Sequence, residues 1–145
     1  METDIWPTSE RGYSLEFPIG KGTFGLVWFA TVLEGENIGS KVAIKIIDLE
    51  SYQHEGDLDE IRKEISAMAD SDHPNIIKYY ISFTIKSEVW LVMPMMRSSS
   101  VGTILDQEFR GGIHDEAIIA TILNETLKGL DYFHQNGQIH RDIKA

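Results

Sequence analysis

A change of hydrophobic period at Pro94 restricts the fold of this chain more than any other feature. Before it lie five short runs rich in β-branched and aromatic residues; after it, apolar residues recur at helical spacing. "YSLEFPIGKG" (13–22) and "TFGLVWFATVL" (23–33) read as two strands joined across glycines. "EGENIGS" (34–40) is a polar turn, and "KVAIKIIDL" (41–49) is a third strand with a continuous apolar run. Leu58, Ile61, Ile65 and Met68 then predict a helix over 58–69, and "SDHPN" ends it because Pro74 biases His73 away from helical geometry. "IIKYYISF" (76–83) and "EVWLVM" (88–93) read as strands four and five.

Past Pro94, "RSSS" (97–100) is a polar small-residue stretch and "FRGGIH" (109–114) a glycine-containing loop. A second helix is predicted over 115–134, where Ile118, Ile119, Ile122, Leu123, Leu130 and Phe133 share a broad face. Asp115 suits its N-cap, and Asn136-Gly137 its stop. Five strands with one inserted helix, then mainly helix, describe an α+β chain of two lobes with a boundary near 93–96.

Composition narrows the classes of function. With 145 residues, 42% hydrophobic and 25% charged, the chain suits one globular domain with a real core. No cysteine is present, which excludes a disulfide framework, a thiolate zinc site and a cysteine nucleophile. No apolar run approaches the roughly 18–20 residues that span a bilayer, so no membrane partner is expected. The N-terminus lacks the pattern of a signal peptide, in line with a cytoplasmic setting. Formal charge is −10, and residues 1–72 hold 15 acids against 6 bases. That excess disfavours nucleic acid as a partner and reads most simply as a solvated acidic face.

Several residue groups can support chemistry. Gly20, Gly22 and Gly25 have the spacing G-x-G-x-x-G-x-V. Glycines there let a hairpin lie close over phosphates and present backbone N–H groups to them, although an ordinary hairpin also clusters glycines. The dinucleotide-fold version of the motif runs into a helix, and here strand-like "LVWFATV" follows. Lys45 ends the run "VAIK", where burial without an anionic partner is costly; the alternative is an edge-strand lysine reaching solvent. Glu64 lies on the border of the apolar stripe of the following helix and can face the sheet toward Lys45, whereas Glu60 turns further to solvent. Asp142 follows the long helix in "HRD" and can accept a proton from a substrate hydroxyl, with Lys144 neutralising phosphate charge. His140 reads as a structural, hydrogen-bonded histidine. His54, His73, His114 and His134 have no metal-ligand spacing and are also read as structural, so no metal ligand is assigned.

Taken in order, the glycine loop, strand-three lysine, helix glutamate, strand-five hinge and His-Arg-Asp loop resemble the eukaryotic protein kinase family over about 13–145. Lys144, two residues after Asp142, is similar to the serine/threonine class. "KEISAM", "HPNIIKYYISF", "VWLVMP" and "IATILNETLKGLDYFHQNGQIHRDIKA" resemble the sterile-20 group, and within it the oxidative-stress-responsive, Fray-like branch of germinal-centre kinases. "GKGTFG" is the general kinase form of the loop, and "RSSS" stands where the branch has a glycine-containing stretch.

The resemblance implies a protein-kinase-like fold. Residues 13–93 would be a complete N-lobe, a five-stranded antiparallel sheet plus helix C; 94–96 the hinge; 97–145 the start of the helical C-lobe; and 1–12 an extension. It implies ATP as cofactor: Ile19, Gly20, Gly22 and Gly25 over the nucleotide, Val27 and Ala43 as the adenine roof, and Lys45 on the α/β-phosphates. Met93 would be gatekeeper, with Met95 and Met96 offering hinge backbone to adenine. Asp142 would orient and deprotonate a protein Ser/Thr hydroxyl. Arg141, if buried, would want an anion and so suggests control by an upstream activating kinase. The family's Mg²⁺ ligands, an asparagine and the aspartate of Asp-Phe-Gly, come after the point where the sequence stops at Ala145. The chain therefore reads as an N-terminal part of a kinase, inactive by itself. The other readings are a pseudokinase-like nucleotide-binding module and a purely structural interaction domain.

Overall fold

The computed structural model describes residues 5–22, 24–52 and 55–144; expectations touching 1–4, Thr23, His54 and Ala145 lie outside them. Among the described residues five strands form one antiparallel sheet in the order β1-β2-β3-β5-β4. They are β1 (Tyr13–Gly22), β2 (Gly25–Val32), β3 (Lys41–Asp48), β4 (Ile81–Ile85) and β5 (Glu88–Pro94). Helix α1 (Glu55–Asp70) is inserted between β3 and β4, and α2 (Val101–Glu108) and α3 (Glu116–Gln135) follow the sheet. This is the α+β arrangement that the resemblance led one to expect, a five-stranded antiparallel sheet with one inserted helix, followed by helices. Pro18 is tolerated in β1 because β1 is an edge strand and the register slips between Pro18 and Gly20.

The chain divides into two compact units. One holds the residues up to Ser71 together with Ile77–Met95; the other holds Asp72–Ile76 and the chain from Met96 onward. In the first, strand alternation splits the core into two faces. On the outer face Val42 and Ile44 of β3 pack with Ala30, Val32, Trp90 and Val92. On the inner face Ala43 and Ile47 pack with Leu91, Met93 and Ile61 of α1.

The segment before β1 belongs to the outer core. Trp6 stacks on Tyr80 with ring centroids 4.1 Å apart, and Tyr13 Oη donates to the Pro7 carbonyl at 2.8 Å. Gly12 makes this approach possible, since a Cβ there would lie 2.2 Å from Pro7 Cβ. Burial, and then the Glu34 carboxylate, push the Tyr13 phenol well above its ordinary range.

In the second unit the strip 72–76 packs on α3. Asn75 Nδ2 donates to Glu125 Oε2 at 2.7 Å, and the Asp72 N–H donates to Tyr132 Oη at 3.0 Å. Asp115 caps α3 by accepting from the Ala117 N–H at 2.8 Å. At the other end Gly137 takes a positive φ of 70°. The Gln138 N–H there donates to the Phe133 carbonyl, and the Gly137 N–H to that of His134, a Schellman stop. Ile118, Ile119, Leu123 and Leu127 of α3 are exposed.

Three elements depart from expectation. The fourth strand starts at Ile81 rather than at 76, because the apolar run before it is divided: Ile77 and Tyr79 pack into the inner core while Ile76 joins the second unit. Helix α1 reaches back to Glu55, over a first turn that has no apolar period in the sequence. Helix α2 follows the polar stretch 97–100, over residues to which the sequence reading assigns no element. Its signals were Ser100, whose Oγ accepts from the Thr103 N–H at 3.1 Å, and the i, i+3, i+4 set Val101, Ile104, Leu105.

Candidate nucleotide site and catalytic loop

Within the first unit, Lys45 lies on the inner face of β3 between its ladder partners Val27 and Leu91. It is only 8% exposed. A lysine so placed needs an anion, and α1 provides one: Lys45 Nζ donates to Glu64 Oε1 at 2.5 Å. Ile61, Ile65 and Met68 anchor α1 on the inner face, and their spacing turns Glu64 to the sheet. The Phe24 ring centroid is 5.9 Å from Nζ.

The glycine turn closes over the same ammonium. A Cβ on Gly22 would sit 3.6 Å from Lys45 Nζ, so the backbone there approaches the charge closely. Gly25 is required for a different reason: its φ is 156° and a Cβ would fall 2.0 Å from the Ile46 carbonyl oxygen. Gly20 has open space on its Cβ side and is exposed. Val27, Ala43, Met93 and Met95 gather in the inner-face cluster, giving an apolar wall on the face that carries Lys45. Ile19 on β1 is exposed. Met96 is exposed and belongs to the second unit.

The second unit holds the His-Arg-Asp loop. Lys144 Nζ lies 3.0 Å from Asp142 Oδ2, and both side chains are largely exposed. The Asp142 N–H donates to His140 Nδ1 at 3.2 Å, so His140 is hydrogen-bonded, and its ring meets Phe133 edge-on. Arg141 has a positive φ of 64° and is exposed. The expectation of a buried arginine wanting an anion is corrected here: no described element covers it, so water already solvates its charge.

A lysine ammonium has three N–H donors, and Glu64 takes one. A point cation beneath a glycine turn and beside an apolar wall fits a nucleotide, phosphates at the turn and base on the wall. Mg²⁺ is a different case. Among the described residues no group of three or more His, Cys, Asp or Glu side chains could hold a metal, so these residues do not by themselves make its site. Among them, too, no helix is long and apolar enough to cross a membrane.

The protein kinase domain family matches residues 13–145. Germinal center kinase 3 of Caenorhabditis elegans is 44% identical over 98% of the chain, which spans 24% of that protein. Serine/threonine-protein kinase fray2 of Dictyostelium discoideum is 44% identical over 97%, and serine/threonine-protein kinase hippo of Drosophila melanogaster 38% identical over 99%. The chain spans 13% and 20% of those two proteins. With a match over nearly its whole length and the Lys45–Glu64 pair in place, the chain belongs to the protein kinase domain family, in its serine/threonine, sterile-20 germinal-centre-kinase-like group.

Proposed function

We propose that this chain supplies the nucleotide-binding residues and the catalytic aspartate of an ATP-dependent protein serine/threonine kinase. The observation that supports this most directly is the 2.5 Å contact of Lys45 with Glu64. An ammonium held in place by a carboxylate presents its remaining donors to the α/β-phosphates without reorganising. Gly20, Gly22 and Gly25 cover the phosphates with backbone, with Ile19 beside them. Val27, Ala43 and Met93 enclose adenine, and the backbone of Met95 and Met96 reads its edge. Asp142 orients the Ser/Thr hydroxyl and accepts its proton as the oxygen bonds to the γ-phosphorus, and the bond to the β,γ-bridging oxygen of ADP breaks. Lys144 offsets charge on the transferred group. The setting is cytoplasmic.

The 145-residue chain is expected to bind nucleotide without turnover. Fluorescent ATP-analogue titration tests the binding: Lys45→Met should weaken it at least about tenfold. Equal affinity would exclude the proposed phosphate contact. In a longer chain that turns over, Asp142→Asn should abolish transfer and spare ATP binding; retained transfer would remove Asp142 as the base.

A further inference from the structure

A groove of about 480 Å³ runs over Leu15, Leu26, Trp28, Ile46 and Trp90 of the sheet and reaches Phe24 and Gly25 of the glycine turn at one side. Its floor is a cross-strand row: Leu26 pairs with Ile46 and Ile46 with Trp90, with Trp28 alongside. Trp90 and Ile46 belong to the outer core, whereas Leu26 is 41% exposed, so the row runs from packed interior to open surface. The size lies in the range of clefts that hold a bound ligand.

One end of the groove is acidic. Asp48 of β3 and Glu88 of β5 are direct ladder partners, and both line it. Like charges opposite one another in a ladder destabilise it. Their neighbours satisfy hydrogen bonds but not charge. Asp48 accepts from the Glu50 N–H and Ser51 Oγ, and Glu88 accepts from Trp90 Nε1 at 3.0 Å. Among the described residues no lysine, arginine or histidine forms an ion pair with either carboxylate. An arriving cation would relieve that repulsion, and the acidic excess of residues 1–72 would draw it in.

The geometry points to this groove as a docking site for a partner protein's short basic segment, with a lysine or arginine on Asp48 and Glu88 and an adjacent large aliphatic or aromatic side chain on Leu26, Ile46 and Trp90. Apolar floor and paired carboxylates together select that combination, since an acidic segment would be repelled and a purely polar one would leave the floor wet. Asp48, Glu88, Leu26, Ile46 and Trp90 carry the inference, and none of them is among the residues assigned to the nucleotide.

Three fluorescein-labelled peptide pools probe the 145-residue chain by anisotropy: arginine and lysine alternating with leucine and phenylalanine, the same apolar residues with glutamate, and the same basic residues with glycine. Saturable binding of the first pool only is expected. Asp48→Asn combined with Glu88→Gln keeps both acceptors and should weaken it at least about tenfold. Lysine at both positions should transfer preference to the glutamate pool, with thermal melts confirming that each variant folds. No saturable binding, equal binding of the glycine pool, or indifference to the charge changes would overturn the site. So would a dimer on light scattering that Leu26→Ser dissolves, since a second copy would then be the occupant.

Discussion

Lys45 Nζ and Glu64 Oε1 meet at 2.5 Å across 19 residues of sequence, one from the middle of a strand and one from the middle of a helix. The two ends of this pair differ in solvation, the lysine side chain being 10% exposed and the glutamate 36%. Removal of the carboxylate therefore strands a cation that water reaches poorly. Glu64→Ala is expected to destabilise the first unit by about 1–3 kcal/mol and to weaken ATP-analogue binding. Urea melts of the two proteins measure it; an unchanged midpoint would mean that Lys45 finds other solvation.

The glycines of the turn beside Lys45 are not equivalent. Gly25→Ala must move either its own backbone or the Ile46 carbonyl 2.0 Å from the new Cβ, whereas Gly20→Ala meets nothing within 4 Å. We expect Gly25→Ala to cost more than about 2 kcal/mol and Gly20→Ala less than about 1 kcal/mol. Thermal melts of the two variants side by side decide the ranking, and equal losses would contradict it.

Trp6 stands seven residues before β1 but is 9% exposed and stacks on Tyr80. Trp6→Ala should therefore behave as a core truncation and cost about 2–4 kcal/mol, although it lies outside the sheet. Deletion of residues 1–12 should match that loss within error. A silent Trp6→Ala would show that the stack adds nothing to stability.

Two groups on β1 set opposite limbs of the pH profile. Burial raises the Tyr13 pKa, so the stability tied to its neutral phenol is complete below pH about 10 and is lost as pH rises through the folded-state value. Hydrogen bonds from Thr31 and then Lys41 lower the Glu16 pKa below 4.5. Its contribution is present above that pH and fades as pH falls through the folded-state value. Tyr13→Phe should flatten the alkaline limb of a melting-temperature profile, and Glu16→Gln the acid limb. Unchanged limbs would assign them to other groups.

The sequence by itself determined the succession of strands and helices along the chain, the period change at Pro94 and Lys45 and Glu64 as candidate partners. Those features are written in local alternation and in helical spacing, which any fold of this chain must respect. The stop of α3 was equally local, since Asn136-Gly137 suffices for a Schellman turn. Only the tertiary structure decided how the run 76–80 is shared between two units, because apolar residues do not state which core they enter. It also decided that Trp6 is core and that Arg141 is exposed. It set Asp48 against Glu88, a pairing that depends on the register between β3 and β5, which 39 residues and a whole helix separate in sequence. Burial and register are properties of what comes to lie alongside, and no window of sequence contains them.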